Sequence, residues 1–422
     1  MNKPAYDTLN SRWQNLPHHH DWLEQEGRRL LSFYRAARHP EGGFGALDQN
    51  GTLPVGDAPQ TMITARMTHC FALAAMRGEP GAAELAAHGV AGLLGPLRDD
   101  RYGGWCAGPP ARVEDQGKQT YLHVFVALAA MTARQADVTG AARLLPEALE
   151  ALERFWMESE GALRGDVGRD WASPEAYRGG NANMHAVELF VQLGDVLEAP
   201  LWRRRALAIS RRLIHEHARA NDYLVVEHFD EHWREWRDYH RDQPRHPFRP
   251  HGLTPGHACE WSRLLLHLEA AMTQAGEAAP DWLLEDAAGL FQAGLHYGWA
   301  VDGAPGLVYT LDWQRRPRVH ERVHWAAAEA CAAAAALLKR TGEPVYEQWY
   351  RRLWDYIDQY LIDRRRGSWW QELDRHNRPS GRIWQGKPDL YHAYQLTLLP
   401  RLPLAPGLAR AVAEGHPLGA PC

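Results

Sequence analysis

The string RYGGWCAG (Arg101 to Gly108) ends one amphipathic helical stretch, and TYLHVFVALAAMTA (Thr120 to Ala133) soon begins another. Five further breaks of the same make recur: EGGFGALDQNG (Glu41 to Gly51), EGALRGDVGRD (Glu160 to Asp170), NDYLVVEHFD (Asn221 to Asp230), APGLVYTLDW (Ala304 to Trp313) and RGSWWQELD (Arg366 to Asp374). Aligned on Gly43, Gly104, Gly161, Asp222, Gly306 and Gly367, they stand 61, 57, 61, 84 and 61 residues apart. A fixed period along a whole chain means one supersecondary unit repeated, each copy burying its apolar face against the next. Six helix pairs that close on themselves form an all-α (α/α)6 barrel, with short β-hairpin-like turns at the breaks. Such a toroid has one central hole, and the function is expected there.

A chain of 422 residues exceeds the size at which one core normally divides. No Pro/Ser-rich linker marks a boundary, however, so the repeat predicts one barrel domain over residues 1–405 and a C-terminal tail over 406–422. A net charge of −5 gives no electrostatic reason to expect nucleic acid or an anionic membrane as partner. No apolar run approaches the roughly 20 residues of a membrane span. The opening MNKPAYDTLNSRW lacks the apolar core of a signal peptide. Five scattered cysteines (Cys70, Cys106, Cys259, Cys331 and Cys422) contain no CxxC pair, which argues against a disulfide framework or a zinc cluster. A cytoplasmic protein is expected, and a homo-oligomer is compatible with that.

The departures from ordinary composition are 18 tryptophans and 23 histidines. Indole rings at a cleft stack on the C–H faces of sugars and leave their N–H for a hydroxyl. The alternative is that the large rings plug the ends of the toroid, and both uses are compatible.

The helix before each break tends to be charged on one face, as in HDWLEQEGRRLLSFYRAAR (His20 to Arg38) and LWRRRALAISRRLIHEHAR (Leu201 to Arg219), and suits solvent. The helices after the breaks are richer in small and apolar residues, as in VHWAAAEACAAAAALL (Val323 to Leu338), and suit a buried inner ring. Each inner helix places polar or aromatic residues in its first turns: Arg66; Tyr121 and His123; Asn181 and His185; His257 and Glu260; Trp325 and Glu329; Asp389 and His392. Several are three or four apart and so share a helix face. Parallel inner helices bring this ring to one mouth. The 84-residue gap exceeds its neighbours of 61 by 23, and the surplus, Glu231 to Pro255, is read as a long loop forming a lid or wall at that mouth.

Histidines and carboxylates in a dry pocket suit proton transfer, because histidine titrates near neutrality. No Gly-x-Ser-x-Gly elbow, phosphate-cradling loop or His-Glu-x-x-His metal motif is present. HACE (His257 to Glu260) is only a weak metal signal. Glycoside hydrolysis would call for two opposed carboxylates. Here histidines bracket the acids, which favours isomerisation.

The strings TARMTH (Thr64 to His69), GGNANMH (Gly179 to His185), TPGHACEWSRL (Thr254 to Leu264) and GKPDLYHAYQ (Gly386 to Gln395) resemble the N-acylglucosamine 2-epimerase superfamily. They are most similar to its aldose–ketose isomerase branch, the mannose and sulfoquinovose isomerases. The resemblance runs from about Trp13 to Leu402. It implies an (α/α)6 barrel and cofactor-free, metal-free isomerisation of a monosaccharide through a cis-enediol, with mannose and fructose as the leading pair and lyxose as a further sugar. By match of motif, His257 and His392 become the acid–base pair, with His392 favoured as the carbon base. Arg66 would hold substrate oxygens, His185 and Glu260 would bind hydroxyls, and Asn181, Tyr121, Trp325, Glu329, Gln371 and Trp384 would line the pocket. A sugar 2-epimerase of the cellobiose or N-acylglucosamine type, a sulfoquinovose isomerase and an inactive carbohydrate-binding toroid are the alternatives.

Overall fold

The six anchors of the repeat share one backbone state. Gly43, Gly104, Gly161, Asp222, Gly306 and Gly367 all turn through positive φ, from +52° at Asp222 to +103° at Gly306. Glycine enters that region without steric penalty, and a short polar side chain tolerates it. At Gly104 space demands glycine as well, since a Cβ would lie 2.6 Å from the Trp171 ring.

A computed structural model describes residues 12–112 and 117–415. The opening MNKPAYDTLNS and the end of the expected tail, with Cys422, lie outside the described residues. The helices run α1 (Pro17–Tyr34), α2 (Thr61–Met76), α3 (Ala82–Leu94), α4 (Thr120–Gln135), α5 (Ala141–Glu153), α6 (Gly180–Val196), α7 (Pro200–Ser210), α8 (Pro255–Gln274), α9 (Trp282–Gly298), α10 (His324–Thr341), α11 (Pro344–Tyr356), α12 (Tyr391–Leu398) and α13 (Leu408–Ala413). The even-numbered helices are buried nearly all round. Each packs on the next, and α12 returns to α2, so the ring closes. This is the expected (α/α)6 barrel. Among the described residues, no helix is long and apolar enough to cross a membrane.

The pairing of helices differs from the sequence reading. Helices separated by a break do not form the packed pair. Each inner helix instead packs on the outer helix that follows it, as α2 on α3 and α8 on α9, and α12 packs on α1. The short turn allows the tight antiparallel contact that the longer break does not. Closure therefore joins the two ends of the chain. Glu24 of α1 takes Arg401 Nη1 at 2.8 Å and Arg77 Nη2 at 2.5 Å, tying α1 to the far ends of α12 and α2.

The breaks do more than turn the chain. Thr61 N donates to Ala107 O, Lys118 N to Val167 O, Gly180 N to Glu227 O, Leu253 N to Leu311 O, His324 N to Gln371 O and Lys387 N to Leu47 O, all at 2.8–3.0 Å. Every break is thus clamped to the next around the whole ring. The first amides of a helix need partners outside it, and α2, α6 and α10 have no side-chain cap. Their neighbouring break supplies the carbonyl. Two expected hairpins exist, at Trp156–Met157 with Ala162–Leu163 and at Thr310–Leu311 with Pro317–Val319. Two other strand pairs instead join successive breaks: Tyr177–Gly179 with His228–Asp230, and Arg322–Val323 with Glu372–Leu373.

One mouth of the barrel is stoppered. Gly407 N donates to Asp195 at 2.7 Å and Ala409 N to Gln192 at 3.1 Å, both at the C-terminal end of α6, and α13 also packs on α2 and α4. The described part of the expected tail is therefore a packed plug. The opposite mouth, at the N-termini of the inner helices, is left for a site.

Candidate active site

Local sequence explains how the side chains reach that mouth. In TPGH, Pro255 occupies the first turn of α8, where its missing N–H costs nothing. A Cβ on Gly256 would lie 2.7 Å from the Trp325 ring and from Ala326 Cβ, so only glycine lets α10 come this close. The indole of Trp325 consequently stacks on His257, with centroids 4.8 Å apart, and also neighbours His392 at 6.1 Å and Tyr309 at 6.3 Å. In GGNANMH, Asn183 is spent on the backbone of Leu163 and Gly179, while Asn181 and His185 face the chamber. The Glu372 carboxylate accepts the backbone amides of Arg382, Ile383 and Trp384 at 2.7–3.0 Å, which holds Trp384 at the rim.

Arg66, Tyr121, Asn181, His185, His257, Glu260, Trp325, Gln371, Trp384 and His392 all line one inner chamber. Of the residues that the resemblance assigned to the site, only Glu329 does not; it lies one layer behind, 2% exposed, where its Oε1 meets His392 Nδ1 at 2.8 Å. His257 Nδ1 has the same arrangement with Glu227 Oε1 at 2.7 Å. His185 Nδ1 faces Glu188 Oε2 at 3.3 Å. In each case the carboxylate fixes the tautomer: Nδ1 carries the proton and Nε2 is left as a base. Arg66 donates to Asp389 at 3.1 Å and to the Tyr121 hydroxyl at 2.6 Å, and its guanidinium lies over the Phe125 ring at 4.3 Å.

Behind the chamber, Arg263 donates Nε to Glu329 at 2.8 Å and brings Nη2 to 3.8 Å from Glu188 and 4.0 Å from Glu260. One buried guanidinium thus serves three buried carboxylates. Burial drives the Glu260 carboxyl well above the usual range, helped by the nearby Glu329 charge. Glu188 is held low despite its burial by His185, Arg263 and the Tyr391 hydroxyl. Burial, reinforced by Arg66 and His185, pushes His392 well below ordinary histidine, and burial also lowers His185.

The surplus loop is the wall it was expected to be. Pro247, Phe248 and Pro250 face the chamber, and Phe248 O accepts from Asn181 at 3.2 Å. Arg249 pins the loop to Asp166 at 2.7 Å and Glu175 at 3.1 Å, over the Tyr177 ring. Outside lies a vestibule of about 670 Å³, which shares Tyr121, Asn181, Phe248, Trp384 and Pro388 with the chamber. The vestibule is the larger space, but the paired histidines and carboxylates belong to the chamber.

The family model of N-acylglucosamine 2-epimerase (GlcNAc 2-epimerase) matches residues 42–396. The chain belongs to that family. It is 54% identical over 407 residues to a D-mannose isomerase of Pseudomonas cannabina pv. alisalensis, covering 96% of this chain and 97% of the relative. It is 47% identical over 405 residues to a D-mannose isomerase of Thermobifida fusca, covering 95% and 98%. A crystal structure of D-mannose isomerase superimposes with a TM-score of 0.82 at 26% identity, covering 94% of this chain and 99% of that one.

For this N-acylglucosamine 2-epimerase family member, two readings of the ring need correction. His123 does not reach the chamber: its Nδ1 donates to Gln119 O at 2.7 Å, its Nε2 accepts from Trp105 N at 3.1 Å, and it is fully buried. Most tryptophans also act structurally, with Trp105, Trp261, Trp354 and Trp369 deep in the core and only Trp325 and Trp384 in the chamber. The sequence reading missed Glu227, Glu188, Arg263, Tyr309 and His324. Glu227 had one available signal, a carboxylate inside the apolar break VVEHF, where an unpaired charge would be costly.

Two groups, His185/Glu188/Glu260 and Glu260/Glu329/His392, have ligand atoms within 4.8 Å of one another. Arg263 already supplies their positive charge. A metal ion there would have to compete with that guanidinium and with the histidine–carboxylate bonds.

Proposed function

We propose that this chain is an aldose–ketose isomerase that interconverts D-mannose and D-fructose, with D-lyxose and D-xylulose as a shorter pair, by metal-independent proton transfer through a cis-enediol. The observation that carries the reading is the pair of dyads, His392–Glu329 at 2.8 Å and His257–Glu227 at 2.7 Å, presented to one chamber. A carboxylate behind each imidazole orients it and stabilises the imidazolium that forms during proton transfer. The full-length similarity to two D-mannose isomerases supports mannose as the sugar. We take the whole toroid, through residue 405, as one catalytic domain.

His392 Nε2 takes the proton from C2 of the open-chain aldose, and the electron pair forms the C1–C2 double bond as the carbonyl oxygen O1 gains negative charge. Arg66, kept charged by Asp389 and Tyr121, meets that oxygen. His257 moves protons between O1 and O2 and assists ring opening. The His392 imidazolium then returns its proton to C1, and the C2 carbonyl of the ketose is complete. His185, Asn181 and Trp384 hold hydroxyls; Asn181 Oδ1 and Trp384 Nε1 are buried without hydrogen-bond partners among the described residues. Glu260, pushed toward its neutral form by burial, offers a donor rather than a base.

Incubation with D-mannose and assay for fructose and glucose tests this directly. Fructose as the product supports the isomerase. Glucose as the main product would make the chain a 2-epimerase, and no turnover of any sugar would make it a binding toroid.

A further inference from the structure

We infer that His324 is a fixed hydrogen-bond acceptor for one substrate hydroxyl, and so a specificity-determining residue of the chamber, an inference that rests on the isomerase reading above. His324 opens α10 and is 5% exposed, and it lines the chamber beside Asp389 and His392. Its Nδ1 faces the Gln371 carbonyl at 3.3 Å, and its backbone N donates to the same oxygen at 3.0 Å. A carbonyl oxygen only accepts, so Nδ1 carries the proton and Nε2 of the neutral ring is a bare lone pair. That Nε2 is buried and has no hydrogen-bond partner among the described residues. A buried acceptor left unpaired is costly, and a substrate hydroxyl removes the cost by donating to it.

The contrast with the other chamber histidines assigns the role. His185, His257 and His392 each have a carboxylate at Nδ1, placed to orient the ring during proton transfer. His324 has a neutral carbonyl, and burial pushes its pKa down to about 4. With no carboxylate behind Nδ1 to stabilise an imidazolium, it stays a neutral acceptor, whereas the carboxylates behind its neighbours stabilise the charge that forms during proton transfer. A group that accepts and never donates reads a hydroxyl. It gives nothing to a deoxy position, and it cannot pair with an acceptor such as a sulfonate oxygen.

The test crosses His324→Phe with a panel of substrates: mannose and its 3-, 4- and 6-deoxy forms. Wild type should lose roughly 10²-fold or more in kcat/KM on one analogue, the one lacking the hydroxyl that His324 reads. His324→Phe should lose about 10- to 100-fold on mannose, mostly through KM, yet show little further loss on that analogue. On the other analogues the two losses should multiply. His324→Gln, whose amide oxygen accepts, should recover part of the loss. An equal deficit on every sugar would mark a merely structural residue, and a shifted pH profile of kcat would mark an acid–base group; either overturns the inference. Wild type inert on mannose would instead sink the isomerase reading. The same cycle, read as calorimetric binding of mannitol and deoxymannitols, would then still decide the role of His324.

Discussion

His392 Nδ1 lies 2.8 Å from Glu329 Oε1, and that contact joins the chamber to the ion-pair network behind it. Glu329 gives its other oxygen to Arg263 at 2.8 Å. The chamber-facing histidine is therefore positioned by a residue outside the chamber lining. This two-layer arrangement sets what mutation should do.

His392→Asn and His257→Asn should each lower kcat by about 10²–10⁴-fold, the usual contribution of a general acid–base group, while helical circular dichroism stays intact. For the carbon base, incorporation of solvent deuterium at C1 and C2 should vanish too. Either variant retaining more than half of wild-type kcat would remove that histidine from catalysis.

Glu329→Gln keeps shape but discards the charge that orients His392 and favours its imidazolium. A fall in kcat of roughly 10²-fold or more is expected, with KM changed little. Arg263→Met should act differently. It strands three buried carboxylates, and breaking such a network by removing one partner costs about 3–5 kcal/mol. Urea unfolding separates the two: Glu329→Gln should shift the midpoint less than Arg263→Met.

The pH profile carries a signed prediction. In the proposed mechanism His392 acts as a base in its neutral form, and its pKa is lowered, mainly by burial. Its activity should persist as pH falls through 6.5 and fail only at more acid pH. Fold stability should decline earlier. His324 is lowered to about 4, and His123 and His228 to about 3, each by burial. Between those values and 6.5 the unfolded chain binds more protons than the fold, so stability rises with pH across that window and is lost on acidification. Glu260, raised by burial, acts in the opposite sense. Thermal melts at pH 7.5, 6 and 5 read the sum, and a melting temperature that climbs toward pH 5 would contradict it.

Mannose should be preferred over sulfoquinovose. A sulfonate needs cations or strong donors, and two basic residues of the loop before α12, Lys387 and Arg382, are not placed to serve as such. Lys387 Nζ is fully buried on Asp363 at 2.7 Å and Gly367 O at 2.6 Å. Arg382 is largely exposed, 3.3 Å from Glu321. A kcat/KM for sulfoquinovose a hundredfold above that for mannose would reverse the assignment.

Prolonged EDTA treatment should leave turnover essentially unchanged, because Arg263 already provides the positive charge in the carboxylate cluster. Activity lost on chelation and restored by a divalent ion would replace the proposed mechanism with a metal-assisted one.

The period of the breaks determined the fold, because each break must reverse the chain through positive φ and glycine or aspartate marks that requirement locally. The inner ring was legible for a similar reason: a helix buried all round is written in its own residues. So were nine of the chamber residues, which share the first turns of parallel inner helices, while Gln371 and Trp384 were named through the family resemblance. Tertiary structure alone decided what stands behind them. Glu227 reaches His257 from 30 positions away, and Arg263 reaches Glu329 from 66. Such partners are chosen by the ring's closure and by the clamp from each break to the next, not by any helical spacing. His123 is instead held away by nearer partners, Gln119 and Trp105. A sequence records the conformational needs of each residue, whereas the pairing of buried charges depends on which backbones the finished barrel brings together.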